Sequence, residues 1–393
     1  MKKVFLTTIA LLSIASASVF GMYGAYSGWI DFLTHGNQFR ARMQQLGFTL
    51  GNDTIKGTFG FFNNGRGAYG SMLSQSTATG EAGTGLYYDF TPTISMGLAY
   101  TSSLISVGVG YNATIGPRLT KIDGKKTEAV VHTPVLVLNA MDNAFRMAIP
   151  IQVVNLTDKF EGAKGSVTAV SLEAQFRYYT GLDMLPQIRL YIKYGNYGAQ
   201  FSQGGQKDKA TFAESFGFDF RLYFGAMVEE VALQPFVKLV YNGALGKQHS
   251  NTEVTALGAL NDSAKYATDF ASMVRGEAVT PTPTYGGSAA WKKGAWDLKL
   301  TPALGLTANS DIVSLYVEPS LGLQITQNGS DIDNKVKEIY SLYWGAYAEI
   351  YITPIKNLEW YFEADVNNNA TSGAITPVKF AASTGITWYL PAL

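Results

Sequence analysis

The sequence predicts an all-β protein: a single up-and-down antiparallel transmembrane β-barrel of about 14 strands (roughly 12–16) with a short N-terminal helical segment. Three observations predict it: a strict two-residue alternation, its repetition along the chain, and an export leader. The alternation is clearest at residues 214–224, E-S-F-G-F-D-F-R-L-Y-F. Phe216, Phe218, Phe220, Leu222 and Phe224 occupy every second position, with Gly217, Asp219, Arg221 and Tyr223 between them. A period of two sends alternate side chains to opposite faces of a strand, here one face fit for lipid and one fit for water. A soluble sheet under a second layer has the same local pattern, so repetition, strand length and export signals carry the assignment.

Composition agrees. The chain has 393 residues, 30 basic and 30 acidic, so its formal net charge is zero and it carries no nucleic-acid footprint. Charged residues make up only 15 % against roughly 25 % in soluble domains, while aromatics reach 13 % and there are 41 glycines. The absence of cysteine excludes disulfides, thiol catalysis, Cys-ligated zinc and an N-terminal lipid anchor on cysteine.

Taken in order, the chain begins with a secretion signal, residues 1–21. Lys2 and Lys3 precede an apolar core from Val4 to Ile14, then small residues at Ala15 to Ser18, with cleavage after Ala17 or Gly21. That core is too short for a spanning helix, which needs ~20 residues. Residues 22–50 form an N-terminal periplasmic or plug segment. Trp29, Ile30, Phe32 and Leu33, then Phe39, Met43 and Leu46, fall at helix-like spacings and predict one or two short helices. Arg40, Arg42 and Gln44 also alternate with Phe39, Ala41 and Met43, so a strand is the competing reading.

The barrel is expected over residues 51–393. Strands are read as starting near 54, 83, 94, 127, 146, 166, 186, 212, 230, 286, 311, 338, 358 and 376, counting Ile94 to Asn112 and Tyr285 to Thr307 as one strand each. Short connections at 90–93, 140–144, 181–186, 225–229, 308–310 and 353–357 alternate with long polar ones. That is the rhythm of short periplasmic turns and long outer loops. Phe90, Tyr178, Tyr179, Phe224, Tyr351, Trp360, Trp388 and Tyr389 cluster near the short turns, as an interfacial girdle would; the bland alternative is that strands simply favour aromatics. Within the longest connection, Thr252 to Arg275 is Ala-rich and weakly amphipathic and reads as a surface helix. In the last strand Ser383, Gly385, Trp388 and Leu390 follow the pattern polar-x-Gly-x-x-apolar-x-apolar. This resembles the assembly signal of bacterial outer-membrane barrels, without the usual terminal aromatic.

The sequence carries no catalytic, cofactor or metal motif. His35, His132 and His249 lie far apart, and His132 in its apolar run is read as packed or lumen-facing rather than catalytic. The distribution of inward charge is not random. Strands read as the sixth to ninth bring Arg177, Arg189, Lys193, Arg221 and Lys238 inward, against Glu173 and Asp219. Strands read as the tenth to thirteenth bring Asp297, Glu318, Glu349, Glu359, Glu363 and Asp365, against Lys299. A basic and an acidic wall about a third of the circumference apart set a field across a lumen, as in selective pores; the alternative is a filled interior cross-linked by these charges.

The runs G-M-Y-G (Gly21 to Gly24), W-I-D-F-L-T-H-G-N-Q-F-R-A-R-M (Trp29 to Met43), Q-L-G-F (Gln45 to Phe48) and T-I-K-G-T-F-G-F (Thr54 to Phe61) resemble the variable surface proteins of intestinal spirochaetes (Brachyspira). The resemblance implies an abundant outer-membrane surface antigen, held in several related copies, and no catalytic or ligand residue. The expectation is therefore a non-enzymatic surface antigen exposing long loops to the host, with a porin-like channel for small hydrophilic solutes as the alternative and an outer-membrane hydrolase behind it. Expected partners are outer-membrane lipid, the barrel assembly machinery, host molecules or antibodies at the outer loops, and further copies of the chain. No cofactor and no nucleic acid is expected.

Overall fold

The computed structural model describes residues 28–42, 45–63, 92–120, 126–160, 163–203, 205–228, 231–245, 253–256, 294–327, 338–368 and 378–390. The leader, His249 and Phe90 lie outside them.

The alternation builds one antiparallel sheet that closes on itself. Its strands are β1 (Gln38–Arg42), β2 (Gln45–Gly51), β3 (Ile55–Asn63), β4 (Pro92–Tyr100), β5 (Ile105–Thr120), β6 (Lys126–Ala140), β7 (Phe145–Phe160), β8 (Ala163–Tyr179) and β9 (Gln187–Gln203). There follow β10 (Gln206–Tyr223), β11 (Ala226–Val228), β12 (Val231–Ala244), β13 (Trp296–Asn309), β14 (Val313–Gln327), β15 (Glu338–Ile355), β16 (Leu358–Asn368) and β17 (Val378–Leu390). β10 and β11 both pair with β12 and make one wall strand, so the barrel has sixteen. Each pairs with its sequence neighbour, and β1 pairs with β2 and β17, from Phe39↔Leu390 to Arg42↔Thr387. Closure leaves no free sheet edge, which is what a wall in lipid requires.

Sixteen replaces the expected count of about 14: three strands are gained in two places and one is lost between β3 and β4, which pair directly, while the strand read as starting near 83 lies outside the described residues. Residues Ile94 to Asn112 hold a hairpin, β4–β5, rather than one strand. Its turn carries no Gly or Pro; instead Ser102 Oγ donates to the Ile105 carbonyl and accepts from the Ile105 N–H. Residues 38–51 supply β1 and β2, so the competing strand reading holds there and the expected helices shrink to one 3-10 turn, Trp29–Asp31. Strand β4 also begins near residue 92 at the end of the barrel that carries the long connections, not at a short turn over 90–93.

The two faces separate as the alternation requires. On β10 Phe216, and just past its end Phe224, are exposed outward, while Ser215, Asp219 and Tyr223 are buried inside. Outside, Leu300 stands between Leu239 and Leu323 across three strands, and Phe39, Phe48 and Phe59 stack in sequence across β1, β2 and β3. The exposed band also takes in Leu98, Val109, Leu136, Leu321, Ile386 and Trp388. A belt of this extent is far larger than the apolar patches of soluble monomers, at most a few hundred Å²; it is the lipid-facing surface. Of the expected girdle, Tyr178, Phe224, Trp360 and Trp388 are exposed on it. Tyr179 and Tyr389 turn inward beneath Arg146 and Arg40, and Tyr351 is buried.

Candidate functional site: the barrel interior

Residues 28–37, just before β1, fold back inside the barrel. Trp29, Ile30, Phe32 and Leu33 are buried and form a core with Ala99 of β4, Val135 and Val137 of β6 and Ala148 of β7. The wall makes room by omission. A Cβ on Gly110 would lie 2.2 Å from the Trp29 ring and one on Gly97 2.9 Å from it, while Gly108 faces Leu33 and Phe32. The lumen-side glycines of β4 and β5 are thus a socket for one indole.

The same turn places Asp31 against the basic wall. Arg146 Nη1 donates to Asp31 Oδ1 at 2.9 Å, and Arg177 Nη1 donates to both carboxylate oxygens at 3.0 Å. Burial pushes the Asp31 carboxyl up, but Arg177, Arg146, His35 and Arg189 together outweigh it and hold it below the ordinary carboxylate range. Lys56 Nζ of β3 ties down the other flank, donating to the carbonyls of Leu33 (2.8 Å) and His35 (2.6 Å).

Register explains the basic wall. Arg146↔Arg177, Arg177↔Arg189, Arg189↔Arg221 and Arg221↔Lys238 are all direct cross-strand partners. Five cations therefore stand side by side on five consecutive wall strands. Arg221 makes two bonds to Asp219 (2.9 and 2.6 Å), which also faces Lys238 at 3.6 Å. Arg189 lies over the Tyr223 ring and donates from Nε to Gln187 Oε1 at 2.9 Å. No carboxylate among the described residues pairs with it.

The acidic wall spans β14 to β16. Glu318 accepts from Tyr316, Glu349 from Tyr347, Glu359 from Tyr389 of β17, and Glu363 from Ser383. Glu349 and Glu363 are direct partners, and Asp365 accepts from Asn367. Arg42 of β1 reaches Glu363 at 3.5 Å and lies over the Tyr361 ring. Asp297 and Lys299 share a face on β13, Lys299 opposite Val240 of β12.

A second piece of chain lines the basic side. In the β12–β13 connection, Glu253 bonds Lys193 at 2.8 Å, and Lys193 also meets Glu173 at 3.3 Å. Val254 N–H donates to Ser215 Oγ and Ala256 N–H to Ser171 Oγ. The Val254 carbonyl fills the space a Cβ on Gly195 would need. The start of the expected surface helix is therefore buried on the inner wall; the remainder of that stretch lies outside the described residues.

The model of the Serpulina hyodysenteriae variable surface protein family matches residues 2–389. The chain belongs to this family. No curated protein matches it. Among solved structures, it covers 91 % of its length against 99 % of a bacterial polysaccharide outer membrane secretin, at 10 % identity and TM-score 0.44. The translocator domain of the autotransporter NalP from Neisseria meningitidis is matched over 91 % of each chain, at 14 % identity and TM-score 0.30. The outer-membrane channel DcaP of Acinetobacter baumannii is matched over 90 % of this chain and 94 % of that one, at 9 % identity and TM-score 0.33.

This variable surface protein is a closed β-barrel whose N-terminal segment packs against the inner wall. The C-terminal signal residues divide between its faces. Trp388 is exposed outward and Leu390 pairs with Phe39 at the seam, while Ser383 bonds Glu363 inside. A Cβ on Gly385 would lie 2.5 Å from the Tyr361 hydroxyl and 2.8 Å from its ring. His132 is exposed beside Tyr111 on the outer face, not packed or lumen-facing. Asp31, Lys56 and Arg146 are not among the charges expected inside from the sequence, and Arg40 and Arg42 figure there only as signs of a strand. Arg146 shares its face of β7 with Ala148 and Gln152, both buried, so the two-residue period places it inside. Asp31 lies in a turn and offered no such signal.

Proposed function

We propose that this variable surface protein is an outer-membrane channel for small hydrophilic anions whose long connections form an outer face toward the host. The row Arg146–Arg177–Arg189–Arg221–Lys238 carries the reading. Like charges directly opposite each other destabilise a sheet. An unbroken row of five on an interior wall, offset by roughly a third of the circumference from the acids of β14 to β16, is the layout of a selective pore. Tyr179, Tyr191 and Tyr223 lie under the guanidiniums of Arg146, Arg221 and Arg189 and hold them in place. The test is conductance. Refolded, heat-modifiable protein in planar diphytanoylphosphatidylcholine bilayers gives stepwise currents whose reversal potential favours chloride over potassium. Silence from folded protein, in both the wild type and plug variants, would reject the channel.

A second reading, the surface antigen, is supported by where the long connections fall. Spans 63–92, 244–296, 327–338 and 368–378 all leave the same end of the barrel, opposite the tight turns. That end faces outward in outer-membrane barrels, where it would meet antibodies or host molecules. Protease applied to intact cells should cut within these spans and spare the turn at 140–145. The reading includes a leader removed after Ala17 or Gly21, checked by the mass of the mature N-terminal peptide, and no catalytic role.

A further inference from the structure

We infer that the cation row is a binding site for a small oxyanion, carboxylate or phosphate, and that the Asp31 carboxylate of the N-terminal segment is its resident, tethered competitor. The inference deepens the channel reading and rests on it for its biological sense, though not for its test.

The row binds a carboxylate in the structure already. Asp31 accepts three hydrogen bonds from Arg146 and Arg177 at 2.9–3.0 Å. These are charge-assisted contacts of the kind guanidiniums make to carboxylate and phosphate. The ligand atoms come from a short segment, residues 28–37, and not from the wall. Even with it, the five cations meet only two carboxylates by ion pair among the described residues, Asp31 and Asp219. Arg189, next in register to Arg177 and buried, has Gln187 and the Tyr223 ring but no acid among the described residues. The Arg177 Nε is buried with no hydrogen-bond partner among the described residues. A planar or tetrahedral oxyanion at this point would meet Arg146, Arg177 and Arg189 together. Chloride offers no fixed set of acceptor atoms to match, so oxyanions should be preferred.

Competition follows from occupancy. While Asp31 sits on Arg146 and Arg177, an incoming oxyanion must displace it or bind only the Arg189 side. Displacement removes the ionic anchor and leaves the glycine socket as the hold on Trp29, so the indole loosens toward water and reports the event.

The test uses full-length protein refolded in detergent micelles, with inorganic phosphate as probe at constant ionic strength. Trp29 emission is isolated by subtracting the Trp29→Phe variant. Millimolar phosphate should shift the wild-type emission to the red, and equal chloride should not. Asp31→Asn should bind phosphate at least tenfold more tightly by calorimetry. Arg189→Gln should weaken phosphate binding about tenfold in a barrel that stays heat-modifiable, and Arg189→Lys should recover most of the affinity, a rescue that a purely structural role for Arg189 would not produce. Equal responses to phosphate and chloride, or unchanged affinity in Asp31→Asn, overturns the inference. If Asp31→Asn does not refold to a heat-modifiable barrel, Arg189→Gln decides alone: unchanged phosphate affinity overturns it. Absence of conductance with tight, Asp31-sensitive phosphate binding would reject the channel and leave the site standing.

Discussion

At the scale of single residues, Asp31 and His35 make the plug sensitive to acid. Burial lowers His35 to about 4; Arg40, Lys56 and Arg146 add to this and Asp31 opposes it. Its folded value lies below the free value of 6.5, so the undocked segment takes up the proton that the docked one refuses. Docking is therefore complete above pH 6.5 and weakens as pH falls toward 4. Asp31 is also depressed, by Arg177 and Arg146 against the effect of burial, so its contribution is present above 3.8 and is lost below that. Trp29 emission should redden in two stages on acidification, and His35→Gln should abolish the first and keep the second. On the wall, Phe220→Arg puts a charge on the lipid face and should cost about 2–4 kcal/mol of barrel stability, read by urea unfolding in vesicles. Asp219→Asn removes the carboxylate from Arg221 and Lys238 and should change stability little while raising anion selectivity. Equal tolerance of both substitutions would mean that β10 is not a membrane strand. These two positions were legible in the sequence because a period of two is a local property. Asp31 was not, because its partners are 115 and 146 residues away.

At the scale of elements, the N-terminal segment shows where pattern reading stops. Trp29, Ile30, Phe32 and Leu33 have helical spacing, yet only one 3-10 turn forms. What sets their conformation is the glycine socket on β4 and β5, a feature defined by missing atoms. The β4–β5 turn was missed for a related reason: Ser102 shapes it with its hydroxyl where Gly or Pro would have been conspicuous. Likewise Asn52 Oδ1 accepts from Thr54 and Ile55 N–H to turn β2 into β3. The socket is directly testable. Gly110→Val places side-chain atoms inside the Trp29 ring, so the plug should leave while the barrel, whose wall hydrogen bonds are untouched, stays heat-modifiable. Trp29 emission and electrophoretic mobility on the same sample check both halves.

At the scale of the whole molecule, the closed wall was foreseeable from rhythm and length, and the strand count was off where the rhythm lacked its usual turn residues. Truncation after residue 377 removes β17 and with it the partner of both β1 and β16. The product should not be heat-modifiable and should be fully cleaved by protease, because two unpaired edges cannot remain in lipid. The seam has one more consequence, and it concerns time. Arg42 meets Glu363 across 321 residues of chain, whereas Asp31 meets Arg146 across 115. By loop-closure entropy alone the longer contact costs about 1 kcal/mol more, so the N-terminal segment should settle on β4 to β8 while the wall is still open. It is then enclosed as the last strand arrives, rather than threaded through a finished mouth.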